Sequence, residues 1–170
     1  DFPEHLVDGK PETAWNSKTG DLSGYVAFRV PAIARVTRVA LTAGFDRVVP
    51  KGDLFTMNHR VTRVRLSRLE PGGGTKTIVE KDLDPTIRTV QAIEIDEPGG
   101  DFRIDVVATL PGTAKGWREL TISELQVWGR ANGAALNPAP VPRMASGSLD
   151  GVRAAPRPSK TNPAPGPFAT

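Results

Sequence analysis

Cysteine is absent from this 170-residue chain, which excludes disulfides, thiolate metal sites and a cysteine nucleophile. Histidine is scarce: His5 and His59 are the two present. A hydrolase built on a nucleophile, a base and an orienting group therefore has little to draw on. Neither a G-x-S-x-G elbow nor a histidine metal motif occurs. Paired carboxylates stay open as an enzymatic alternative, since spacing alone does not bring two acids together. No run of about 18 apolar residues exists, the length a membrane-spanning helix needs. Nothing at the start reads as a secretory leader, so a mature or excised fragment is expected. Helical periodicity with caps is missing as well.

What is present is evenly charged over most of its length. The totals are 22 Lys and Arg against 19 Asp and Glu. Arg143, Arg153, Arg157, Lys160 and the single acid Asp150 all follow residue 130. Removing those four basic residues and one acid leaves 18 of each sign in 1–130. Nucleic-acid binding wants basic charge gathered on one face beside stacking aromatics, and no nucleic-acid partner is expected here. From Ala131 onward the composition turns to Ala, Pro, Gly and Ser and holds half of the 16 prolines. Isolated apolar residues such as Leu136, Val141 and Phe168 bury too little surface to offset the entropy of ordering. The expected organisation is a folded domain at 1–130 and a disordered tail or linker at 131–170, leaning towards extended polyproline conformations.

Residues 1–130 read as strands. "YVAFRV" (25–30) puts Val26, Phe28 and Val30 on one face, and "RVTRVRLSRL" (60–69) sets Thr62, Val64 and Leu66 opposite Arg63, Arg65 and Ser67. Such alternation marks half-buried antiparallel strands. "VTRVALTAGF" (36–45), "TKTIVEKDL" (75–83), "VQAIEI" (90–95), "FRIDVVATL" (102–110) and "ELTISELQVWG" (119–129) continue the series, with "EPGGGT", "DEPGGD" and "LPGTAKG" as turns between them. The glycine run "EPGGGT" lacks the Lys-Ser/Thr of a phosphate loop and precedes a strand, so it reads as a hairpin. Many short strands punctuated by Gly and Pro predict an all-β sandwich. The stretch "GFDRVVPKGDLFTMN" (44–58) is too long for a hairpin turn, and long loops on a compact β scaffold are where binding residues gather.

In order along the chain stand Thr13-Ala14-Trp15, Gly44-Phe45, Asn58-x-Arg60-Val61, Pro111-Gly112-Thr113 and Ile122-Ser123-Glu124. These residues resemble discoidin-like domains (coagulation factor 5/8 type C, galactose-binding-like), and most closely the bacterial NADase-type glycan-binding domain. The resemblance covers residues 6–129. It implies an eight-stranded jelly roll of two packed antiparallel sheets, acting as a non-catalytic carbohydrate-binding module within a longer secreted or surface protein, in an extracellular, periplasmic or cell-surface location. The NAD-hydrolysing activity in the family's name belongs to a neighbouring domain, and nothing in this chain carries it.

Similar sugar-binding modules hold a structural calcium ion in the loop matching "LVDGKPETAWNS" (6–17). The matching ligands are the side chains of Asp8, Thr13 and Glu124 and the carbonyls of His5 and Lys10. Calcium takes six to eight hard oxygen ligands, and Gly9 permits the turn. Lys10 departs from the acidic or small residue common there, and an Asp-Gly turn with Thr13 capping backbone groups is the competing reading. Trp15 is expected in the core and Trp128 at the end of the last strand. Sugar recognition pairs an aromatic face with polar groups that fix hydroxyls. The candidates are Phe45, Lys51, Asp53, Phe55, Asn58, His59 and Arg60 in the long loop, with Trp117 and Arg118 from a second loop. Asn58 and Arg60 have a structural alternative, a left-handed turn and a brace against a carboxylate. A protein- or phospholipid-binding discoidin domain is the competing function, with Val48, Val49, Leu54 and Phe55 as apolar spikes beside Lys51.

Overall fold

The computed structural model describes residues 2–131, 134–136 and 144–148. After a short 3-10 turn at Pro3–Leu6, the strands are β1 (Trp15–Asn16), β2 (Gly24–Leu41), β3 (Val48–Val49) and β4 (Gly52–Asp53). The four-residue helix α1 (Leu54–Met57) follows, then β5 (Arg60–Leu69), β6 (Thr75–Asp82), β7 (Gln91–Leu110), β8 (Thr121–Ile122), β9 (Leu125–Ala131), β10 (Ala134–Leu136) and β11 (Met144–Ser148). The main sheet runs β10-β9-β2-β7-β5-β6, with β11 also on β2; β1 pairs β8, and β3 pairs β4. Every named pairing is antiparallel. The chain is an all-β sandwich. Where the resemblance implies eight strands, the described residues form eleven, because two-residue pairings also stitch the loops together.

Two expected turns are not turns. The sequence suggests separate strands at 25–30 and 36–45, yet β2 is continuous over 18 residues, and β7 runs for 20 straight through "DEPGGD". The reason is a shared bend. Between the pairs Val30↔Gly100 and Arg35↔Pro98, residues 31–34 stand opposite Gly99 alone. A Cβ on Gly99 would lie 1.7 Å from the Pro31 carbonyl oxygen, so Gly99 marks two backbones in contact rather than a reversal. The stretch "EPGGGT" does close a hairpin: the Glu70 N–H donates to the Gly74 carbonyl at 2.8 Å, and the Gly73 N–H to the Glu70 carbonyl at 3.0 Å.

The apolar alternation read in the sequence delivers the core. Trp15, Val26, Phe28, Val30, Val64, Leu66, Phe102, Ile104, Ile122 and Val127 belong to one buried cluster, and the Phe28 and Phe102 rings stack at 5.5 Å. One face of β5 departs from expectation: a register shift between Val61 and Arg63 buries Val61 in place of Thr62. The outer faces carry cross-strand ion pairs: Arg29–Asp101, Arg38–Glu94, Arg63–Asp82 and Arg65–Glu80, at 2.6 to 2.7 Å, and Arg35–Asp96. Exposed pairs of this kind add little to stability, because solvent screens them. Their consequence is electrostatic, because these arginines face carboxylates instead of forming a basic field. Within the segment read as a tail, residues 134–136 pair with β9 and residues 144–148 with β2. At these two stretches the tail joins the sheet. The remaining positions of 131–170, apart from Ala131 itself, lie outside the described residues.

Candidate functional site

The long loop folds around a buried ring. Asp53 caps α1, its carboxylate accepting from the Phe55 N–H at 3.2 Å and the Thr56 hydroxyl at 3.3 Å. At the other end the Asn58 amide donates to the Leu54 carbonyl at 2.9 Å. Phe55, offered by the sequence as a sugar platform or lipid spike, is 2% exposed, with the Arg60 and Arg88 guanidinium groups 5.6 and 4.7 Å from its ring centre. That corrects the expectation: a ring enclosed in this way has no face left for a ligand. Arg88, which sequence reasoning missed, donates to Asp46 at 2.8 Å and also pairs with Asp53. Arg88's hydrogen bond holds the Asp53 carboxyl below the usual carboxylate range. Asp53 is thus a cap and ion-pair partner of the scaffold. Arg60 is braced too, by the Pro85 carbonyl at 3.1 Å rather than by a carboxylate.

The second loop is zipped onto the first. The Thr113 N–H donates to the Thr56 carbonyl at 3.0 Å, and the Ala114 N–H to the Met57 carbonyl at 3.2 Å. His59 forms a bridge with Leu120; its Nδ1 is buried with no hydrogen-bond partner. Between the loops lies an open cleft of about 240 Å³ lined by Asn16, Phe45, Leu54, Asn58, Trp117 and Glu119. Trp117 is 38% exposed, and Phe45 is half-buried. Of the nine sequence candidates, Phe45, Asn58 and Trp117 meet at this cleft. Lys51 and Arg118 are exposed and, like Asp53, Phe55, His59 and Arg60, stand outside its lining.

Asn16, Leu54 and Glu119 complete the lining; the sequence offered none of them as a sugar contact, though two carried a signal. Successive strand residues point to opposite faces, so a buried Trp15 sends Asn16 outward, and Glu119 falls two places after Trp117. Of the four spikes proposed for a lipid surface, Val48 is 74% exposed. Val49 and Leu54 are half-buried, and Leu54 faces the cleft.

The opening loop gathers oxygen. The Thr13 hydroxyl stands 3.0 and 2.8 Å from the two Asp8 carboxylate oxygens and 2.9 Å from the Lys10 carbonyl. One hydroxyl proton serves a single acceptor well, so this cluster is short of protons. Glu124 closes it from below. Its Oε1 is buried with no hydrogen-bond partner, and burial, then the charge of Asp8, push its carboxyl up to about 7 against the backbone N–H groups of Lys10 and Gly9. Among the described residues no three His, Asp or Glu side chains converge as a metal cluster. The oxygens present here, carboxylate, carbonyl and hydroxyl, are of the kind a hard cation such as calcium prefers. His5 contributes a tether, its Nδ1 lying 3.1 Å from the Ala14 carbonyl oxygen. The loop reaches the long loop at 44–58 through Ser123, whose hydroxyl donates to the Pro11 carbonyl at 2.8 Å and accepts from the Asp46 N–H at 3.2 Å.

No family model matches the chain, and no curated protein does. Solved structures do. A family 32 carbohydrate-binding module of a family 31 glycoside hydrolase from Clostridium perfringens superposes with a TM-score of 0.56 at 16% identity, over 76% of this chain and 83% of that one. The family 32 module of AlyQ, in complex with 4,5-unsaturated mannuronic acid, gives 0.52 at 12% identity over 74% and 84%. The family 32 module of C. perfringens NanJ, in complex with galactose, gives 0.50 at 18% over 74% and 82%. At these identities the likeness establishes the discoidin-like fold.

Proposed function

We propose that the chain is a non-catalytic carbohydrate-binding module that attaches a longer bacterial extracellular, periplasmic or surface protein to glycans. The observation that carries this reading is the cleft itself, with Phe45 and Trp117 as aromatic lining and Asn16, Asn58 and Glu119 as polar contacts. An aromatic surface takes the apolar face of a pyranose, and flanking amides and carboxylates fix its hydroxyls. The galactose and mannuronic acid bound by structural neighbours support the same use of the fold. Within the superfamily we assign the chain to the NADase-type glycan-binding domains, on the ordered motifs from Thr13 to Glu124.

The test is a glycan-array screen of the 170-residue chain beside Trp117→Ala. Saturable binding to a defined sugar is expected, weakened at least about tenfold in the variant while its circular dichroism is unchanged. Failure to bind across a broad array, from a folded protein that binds anionic liposomes, would favour the phospholipid reading instead.

Calcium has a structural part in the proposal. Asp8, Thr13, Glu124 and the carbonyls of Lys10 and His5 would hold it, and its charge would offset the two facing carboxylates. Ligands that bind the folded state stabilise it by mass action. Chelation is expected to lower the melting temperature by several degrees, and Asp8→Ala to remove the chelator's effect. An unchanged melt, with no metal in elemental analysis, would sink this part and leave the glycan cleft standing.

A further inference from the structure

We infer that the cleft selects glycans bearing a free amine, non-acetylated hexosamines, and that Glu119 is the residue that selects them; the inference rests on the glycan-binding reading above. Glu119 is the charged side chain of the lining, and the other five liners are neutral. Neutral donors hold its carboxylate in place: the Thr19 hydroxyl donates to Oε1 at 2.7 Å, and the Asn16 amide to Oε2 at 3.3 Å. No arginine or lysine of the described residues pairs with it. The contrast with the sheet is direct, because there Asp82, Glu94, Asp96 and Asp101 each face an arginine.

An ionised carboxylate only accepts hydrogen bonds and has about four lone-pair directions. With two taken by Thr19 and Asn16, the rest are open to donors on a ligand. Sugar hydroxyls satisfy them as neutral bonds. An ammonium group does so as a charge-assisted bond, roughly twice as strong, and it also gains from the aromatic faces of Trp117 and Phe45. An N-acetyl group keeps an N–H but discards the charge. A uronic or sialic acid brings a second negative charge to a wall with no cation to receive it, which is how a site rejects a competitor. Arg118, next in sequence, stands outside the lining.

The experiment is calorimetric titration of the full chain with glucosamine, N-acetylglucosamine and mannuronate tetrasaccharides and with galactose, at low and moderate salt. Glucosamine oligomers are expected to bind about tenfold or more tightly than their acetylated counterparts, with the advantage shrinking as salt screens the charge. Glu119→Gln keeps the shape and should erase that advantage, whereas Glu119→Asp keeps the charge and should retain most of it. Equal binding of acetylated or galactose ligands, or binding of mannuronate, would overturn the selection by charge and leave the glycan reading intact. Binding of no glycan at all would overturn both.

Discussion

Replacing Gly112 by alanine is expected to abolish detectable glycan binding and to cost about 3 kcal/mol of stability, in the range of overpacking that cannot relax. A Cβ at this position would lie 2.0 Å from the Met57 carbonyl oxygen and 2.5 Å from that of Asn58. Both neighbours are backbone, so no side-chain rotation relieves the overlap and the loop itself has to move. That movement strains the Thr113–Thr56 and Ala114–Met57 hydrogen bonds that dock the second loop onto α1. Trp117 depends on the same docking, because its N–H donates to the Ala114 carbonyl at 3.3 Å. Urea melts and glycan titration of Gly112→Ala, beside Trp117→Ala, separate the effects: the tryptophan variant should lose binding alone, and the glycine variant both. A Gly112→Ala protein that binds and melts like the parent would show that the two loops do not need this contact.

Arg88→Met is the second large effect. The guanidinium reaches Asp46, next to the cleft residue Phe45, and Asp53, the cap of the helix that supplies Leu54. It also lies over Phe55. Met keeps an apolar stem against the ring but leaves Asp46 and Asp53 without their shared cation. Hydrogen bonds to charged groups are worth about 1.5–3 kcal/mol, and partial exposure screens this one, so a loss of about 2 kcal/mol is expected. Both sides of the cleft's long loop come loose together, and affinity should fall about tenfold. The pH dependence supplies a second readout. Arg88's hydrogen bond lowers the Asp53 pKa in the fold, so the unfolded chain binds more protons as pH drops below about 4. The pair's contribution is present above that unfolded value and is lost as pH falls through the lower folded one. Arg88→Met should therefore show a shallower acid limb in its stability profile. An identical acid limb, with unaltered affinity, would show that Arg88 does not organise the loop.

These two residues mark where reading along the chain stops being enough. Alternating Val and Leu against Arg and Ser determined the strands and the all-β class, because which face a strand buries is a local property of period two. The ordered motifs led to the discoidin-like expectation, and Trp15 lies in the core as that resemblance implied. Local chemistry misled at "DEPGGD", whose Gly99 serves a contact with Pro31 some seventy positions earlier in the chain. It misled again at Phe55, which has the composition of a binding-loop aromatic and the surroundings of a core residue. Nothing near Arg88 in sequence points to Asp46 and Asp53, and nothing near Asn16 points to Glu119. A cleft is made by side chains from distant segments, here 16, 45, 54–58 and 117–119. Their meeting depends on strand register and loop docking, so the periodicity of the chain determined the sandwich, while only the tertiary structure decided which of its residues face a ligand together.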